Sequence, residues 1–158
     1  MSMTEAVLQD EPSVGRIDDA GVHHLPVRVY YEDTDAAGIV YYANYLKFIE
    51  RARTDMMRLL GATHSRMAEQ DGLSFIVRSC SIKYRQPARL DDGLDVRTKV
   101  MRMRGPILDV LQDVCRDGDR LVSTDLRIAC MDGAGRVQSL PGPIRTAFAR
   151  IAQPVSAH

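Results

Sequence analysis

The chain has 158 residues, 45% of them hydrophobic, with 21 Lys+Arg against 21 Asp+Glu and a net charge of zero. That much apolar material builds one ordinary soluble domain and excludes disorder throughout. A pI near 6.9 gives no whole-chain attraction to phosphate backbones or anionic lipid, so no nucleic-acid partner is expected.

Residues 1–24 carry Glu5, Asp10, Glu11, Asp18 and Asp19 without sustained periodicity and read as a flexible leader. They lack the basic start and apolar run of a secretory signal, and no stretch approaches the ~20 apolar residues of a membrane span. A cytoplasmic location is expected. A single domain over residues 25–152 follows, with 153–158 as a tail. From Pro26, Val27, Val29 and Tyr31 alternate with Arg28 and Tyr30, which predicts a strand with one buried face. It runs into DTDAAG, a turn-rich break in which Asp33, Thr34 and Asp35 can bond local amides and Gly38 can adopt backbone angles closed to other residues.

Tyr45, Phe48, Ile49, Ala52, Met56, Leu59 and Leu60 then recur at the spacing of one helical face, and Gly61 offers a stop. This is the longest helix candidate, and a weaker helical piece follows around Ser65–Gln70. Four strand-like segments come next, beginning at Leu73, Leu94, Ile107 and Arg120, separated by turn signals that include Asp117-Gly118-Asp119. They read as an antiparallel meander, and a short helix over Ile144–Ile151 closes the chain. One helix segregated from a run of strands predicts an α+β fold with a largely antiparallel sheet curling around the long helix.

Cys80, Cys115 and Cys130 are an odd number without a C-x-x-C pair, so they read as reduced and mostly buried thiols. His23, His24, His64 and His158 form no ligand set, and no metal is expected. Phosphate-loop, dinucleotide and serine-hydrolase signatures are missing. Arg102 and Arg104 fit either a phosphate contact or a solvated strand face.

The unusual stretch is YEDTDAAGIVYYANY, residues 31–45, which puts two acids in a turn just before the long helix. A helix start offers unpaired N–H groups and partial positive charge, and can stabilise an anion developing on a carbonyl. A carboxylate beside it can act on that carbonyl directly or through water. The plainer reading is that Asp33 or Asp35 only caps the turn.

The block from Val27 through Val100, with its D-x-D-x-x-G-[IV]-V-Y motif followed by a helix, resembles the hotdog-fold acyl-CoA thioesterases of the 4-hydroxybenzoyl-CoA thioesterase type, and among them the Tol-Pal system-associated bacterial enzymes. The likeness spans residues 26–132 and implies a five- or six-stranded antiparallel sheet wrapped around one helix. It implies hydrolysis of acyl-CoA to free acid and CoA without metal or organic cofactor. Asp35 falls on the catalytic carboxylate, acting as nucleophile or general base, and Tyr42 on the residue whose backbone N–H binds the thioester oxygen. Many close relatives carry His at that second position, and an amide role does not depend on the side chain. Asp33 and Gly38 are implied to shape the turn, and Arg102 and Arg104 to lie in the CoA-binding region. A homodimer or homotetramer with interfacial active sites is implied as well. Hotdog hydratases use a His before or at the start of the helix, and residues 33–44 contain none. A reading from a different class is a non-catalytic module that binds acyl thioesters or acyl carrier protein.

Overall fold

The computed structural model describes residues 15–154. Two short strands open it, β1 (Arg16–Ile17) and β2 (His23–Arg28), paired antiparallel. Both begin inside the segment read as a leader, whose residues 1–14 lie outside the described residues. The polar sequence hid these strands, because their anchors are side chains distant in the chain. Asp55 accepts from the Gly15 amide at 2.9 Å and bonds the buried His23 Nε2 at 2.7 Å, while His24 sits between Asp18 and Asp95.

The strand stops at Arg28, earlier than the alternation suggests. The Asp33 carboxylate accepts from the Tyr30 amide at 2.8 Å and closes a single 3-10 turn over Tyr31–Asp33. Val27 and Val29 are buried as expected, but the turn throws Tyr31 outward, to 83% exposure.

Helix α1 (Asn44–Leu59) buries Tyr45, Phe48, Ile49, Ala52, Met56 and Met57. Leu59 lies on the same stripe by spacing yet is exposed in the last turn. Met57 replaces it in the interior, because it faces a cavity closed by Phe148 from the C-terminal end of the chain. Helix α2 (His64–Asp71) starts on a Thr63 side-chain cap and ends at Gly72, whose φ of 64° is the left-handed stop a glycine allows.

Strands β3 (Leu73–Tyr84), β4 (Gly93–Arg104), β5 (Ile107–Arg116) and β6 (Asp119–Asp132) complete a six-stranded antiparallel sheet in the order β1-β2-β4-β5-β6-β3. The expected meander holds for β4, β5 and β6, but β3 pairs with β6 at the far edge rather than with β4. Pairing between residues so distant in sequence leaves no local signal.

Alternate side chains of β4, β5 and β6 point to α1, with Leu94, Val96, Val100, Val110, Val114, Val122 and Leu126 all buried, and Leu121 is buried as well at a register shift between β5 and β6. The opposite face carries charge pairs such as Arg127–Asp109 at 2.9 Å. Helix α3 (Gly142–Ile151) adds Ile144, Phe148 and Ile151 to the core on the α1 side. This sheet around a central helix is the hotdog arrangement that the resemblance implies.

Candidate active site

The loop between the 3-10 turn and α1 is a tight hairpin. The Asp35 amide donates to the Ile39 carbonyl at 2.9 Å, the Gly38 amide to the Asp35 carbonyl at 3.0 Å, and Thr34 bridges Val40. Gly38 at φ 77° makes the reversal, a conformation that costs an L side chain about 1–2 kcal/mol.

The hairpin is stitched to the segment before β4. The Val40 amide donates to the Ala88 carbonyl at 2.9 Å, and Ile39 bridges Arg89. The buried Tyr45 hydroxyl accepts from the Ala88 amide at 2.9 Å, which ties that segment to α1. One helix residue therefore fixes the platform on which the hairpin rests.

Asp35 is exposed at the tip. Its Oδ1 accepts from the Ala37 amide at 2.8 Å, while Oδ2 has no hydrogen-bond partner among the described residues. Asp33 points back into the turn. Besides the Tyr30 amide on its carboxylate, its carbonyl accepts from the Tyr41 amide at 3.0 Å and from Asn44 Nδ2 at 2.9 Å. These bonds set how the hairpin enters α1.

Ala43 is the N-terminal cap of α1 and provides no side-chain hydrogen bond. Among the described residues the Tyr42 amide has no acceptor, so a donor is left at the start of α1 beside the partial positive charge of the helix. The backbone around it is held by aromatic contacts. Tyr42 meets Tyr41 edge-on at 4.9 Å and Tyr84 at 6.1 Å, and the Tyr84 hydroxyl donates to the Tyr42 carbonyl at 3.1 Å. The proximity of Tyr42 raises the Tyr41 phenol above its ordinary pKa, and burial does the same for Tyr84.

Arg102 and Arg104 are not near this loop within one chain. The hairpin rests beside the start of β4 at Gly93, and 102 − 93 = 9 residues of strand carry Arg102 about 30 Å away. Arg104 there lies 3.6 Å from Asp109. The guanidinium-bearing residue whose backbone touches the hairpin is Arg89, which the spacing of the sequence did not single out.

A cavity of about 200 Å³ opens between α1, β3 and α3. Its lining is mostly apolar, with Met56, Phe75, Val110 and Phe148, interrupted by Arg53 and His64. Sequence spacing puts Arg53 off the apolar stripe, and only the folded packing shows that it borders an internal space.

The thioesterase-like superfamily model matches residues 29–153. The acyl-CoA thioesterase YbgC of Haemophilus influenzae is 41% identical over 125 residues, covering 78% of this chain and 92% of that protein. Among solved structures, a probable thioesterase from Bartonella henselae superposes with a TM-score of 0.72 at 33% identity, covering 76% of this chain and 99% of that one. A 1,4-dihydroxy-2-naphthoyl-CoA thioesterase from Synechocystis gives a TM-score of 0.77 at 19% identity over 84% of this chain and 99% of its own, a likeness of fold alone.

Proposed function

The chain belongs to the thioesterase-like superfamily and is an acyl-CoA thioesterase, and on that premise we propose that Asp35 and the Tyr42 amide carry the hydrolysis. The observation that supports this reading is the pairing of an exposed carboxylate with one unengaged oxygen and an N–H without an acceptor at the start of α1, seven residues later.

The thioester carbonyl oxygen accepts from the Tyr42 amide, which stabilises the negative charge that develops as the carbonyl carbon becomes tetrahedral. One such donor contributes about 10²- to 10³-fold. With Asp35 as general base, its carboxylate takes a proton from water, the water oxygen bonds to the carbonyl carbon, and the C–S bond breaks. The CoA thiolate leaves with the electron pair and is protonated, giving acid and thiol. With Asp35 as nucleophile, the carboxylate itself displaces the thiolate, and water then opens the mixed anhydride. Oxygen-18 found in Asp35 after a single turnover in labelled water identifies the second route with water attacking the Asp35 carboxyl carbon; hydroxylamine capture of the anhydride identifies it when water attacks the acyl carbon instead.

Two copies of the chain pair through β3. That strand is twelve residues long, lies at the sheet edge, and exposes Ile76 and Val77. An edge of this kind invites pairing with another strand. Arg89 stands nearest to the hairpin for the CoA phosphates, and Arg102 and Arg104 serve them only if a second subunit carries them there.

CoA release from short, long and aromatic acyl-CoAs, read for wild type beside Asp35→Asn, tests the proposal. Loss of turnover in the variant is expected. Binding of acyl-CoA without product by wild type would favour a binding module instead.

A further inference from the structure

Arg53 has an uncommon environment for a guanidinium. Its Nη1 donates to Gln112 Oε1 at 2.8 Å, and among the described residues no carboxylate forms an ion pair with it. A guanidinium has five N–H donors, so those not given to Gln112 remain available on the wall of a largely apolar cavity.

Its aim is fixed from below. Gln112 is fully buried in β5, and its Nε2 donates to the Ile49 carbonyl at 2.8 Å and to Thr98 Oγ1 at 2.9 Å. Both amide protons are thereby spent, and the amide oxygen has one orientation in which to meet Arg53. The same amide places the guanidinium level with Ile49. Five residues from Asn44 at about 1.5 Å each, that is about 8 Å from the start of α1.

The remaining wall fits an organic group with a polar end. The cavity is about 200 Å³, against roughly 150 Å³ for an engineered cavity that accepts benzene. It therefore takes a ring or a chain of several carbons. His64 stands at the mouth with its ring edge-on to Phe75 at 6.3 Å. Desolvation and then the charge of Arg53 hold its imidazole below its ordinary pKa, so near neutral pH it is an uncharged donor or acceptor. Glu50 borders the cavity one turn earlier on α1, and its side chain is exposed to water.

We propose that Arg53 is a specificity-determining residue: the cavity receives the far end of the acyl group, and the spare N–H donors of Arg53 select acyl groups bearing an oxygen acceptor there over plain hydrocarbon ones. The proposal rests on the thioesterase reading above. An oxygen about 8 Å from the helix start corresponds to the end of an extended six-carbon acyl chain.

Three esters of one length test it: hexanoyl-CoA, ω-hydroxyhexanoyl-CoA and adipoyl-CoA, each assayed with wild type, Arg53→Met and Arg53→Lys. Wild type is expected to prefer at least one oxygenated ester, with adipoyl-CoA reporting an anionic acceptor and the hydroxy ester a neutral one. In Arg53→Met the oxygenated-to-plain ratio of kcat/KM falls about 10- to 100-fold, chiefly through KM. Arg53→Lys keeps a donor for Gln112 and loses the fork, so its ratio falls too, and it carries the test if the Met variant does not fold. A merely structural role would lower all three esters together and leave the ratio unmoved. That result, or a wild-type preference for hexanoyl-CoA over both others, overturns the role of Arg53. Absence of turnover on every ester overturns the thioesterase reading with it.

Discussion

Tyr45→Phe removes one oxygen from the centre of the molecule and nothing else. The ring is 2% exposed and keeps its edge-on contact with Phe48 at 6.1 Å, so packing is unchanged. What is lost is the acceptor for the Ala88 amide, 2.9 Å away in a residue with no exposed surface. A buried N–H without a partner costs about 1–3 kcal/mol. For a chain of this size each kcal/mol moves Tm by about 3 °C, so a fall of roughly 3–9 °C is expected. Function should suffer as well, because the Ala88 carbonyl accepts from Val40 and the Leu90 amide donates to the Gly38 carbonyl, the two bonds of the Ile39–Arg89 bridge that holds the Asp35 hairpin. Calorimetry gives the Tm, amide exchange at Ala88 locates the damage, and CoA release gives the effect on kcat. Tyr84→Phe is the control, since its exposed hydroxyl bond to the Tyr42 carbonyl is one that water replaces. A Tyr45→Phe protein with wild-type Tm and a protected Ala88 amide would refute the claim that this hydroxyl anchors the loop platform.

Gly38→Ala meets no atom within 4 Å but must hold φ near 77°, so it costs about 1–2 kcal/mol through strain rather than collision. Denaturant midpoints should record that loss, and turnover should fall further than stability because the strain is released in the Asp35 hairpin. Stability should also decline in acid through His23, whose burial outweighs its Asp55 partner and holds the imidazole below 6.5. The unfolded chain then takes up the proton first, so this contribution is full above about pH 6.5 and shrinks as pH falls below it, by up to about 1.4 kcal/mol per pH unit. Melting curves from about pH 7.5 to 5 check the slope, which His23→Gln should flatten.

Spacing alone located α1 because its buried face repeats at helical intervals from Tyr45 to Met56. It located α2, α3 and the four long strands as well, each bounded by a glycine, a proline or a charged turn. What it missed depends on distant partners. His23 and His24 look like leader residues until Asp55 is seen to bond the first, and Asp18 and Asp95 the second. The place of β3 at the sheet edge is fixed by β6, some fifty residues later. The resemblance carried by the motif before the helix singled out Asp35 and Tyr42 as candidates, whereas the missing acceptor of the Tyr42 amide is a property of the folded backbone. Arg53 was illegible for a related reason, since a polar residue beside an apolar stripe reads as solvated until Phe148 of α3 closes a cavity over that side of α1.

The most direct test of the account is CoA release by wild type and Asp35→Asn under saturating acyl-CoA, with the thiols of Cys80, Cys115 and Cys130 subtracted. The substitution keeps the shape of the side chain and its bond to the Ala37 amide while removing the charge. A folded variant with wild-type Tm and turnover reduced by several orders of magnitude is expected. Turnover close to wild type in that folded variant would contradict it and place the chemistry elsewhere in the chain.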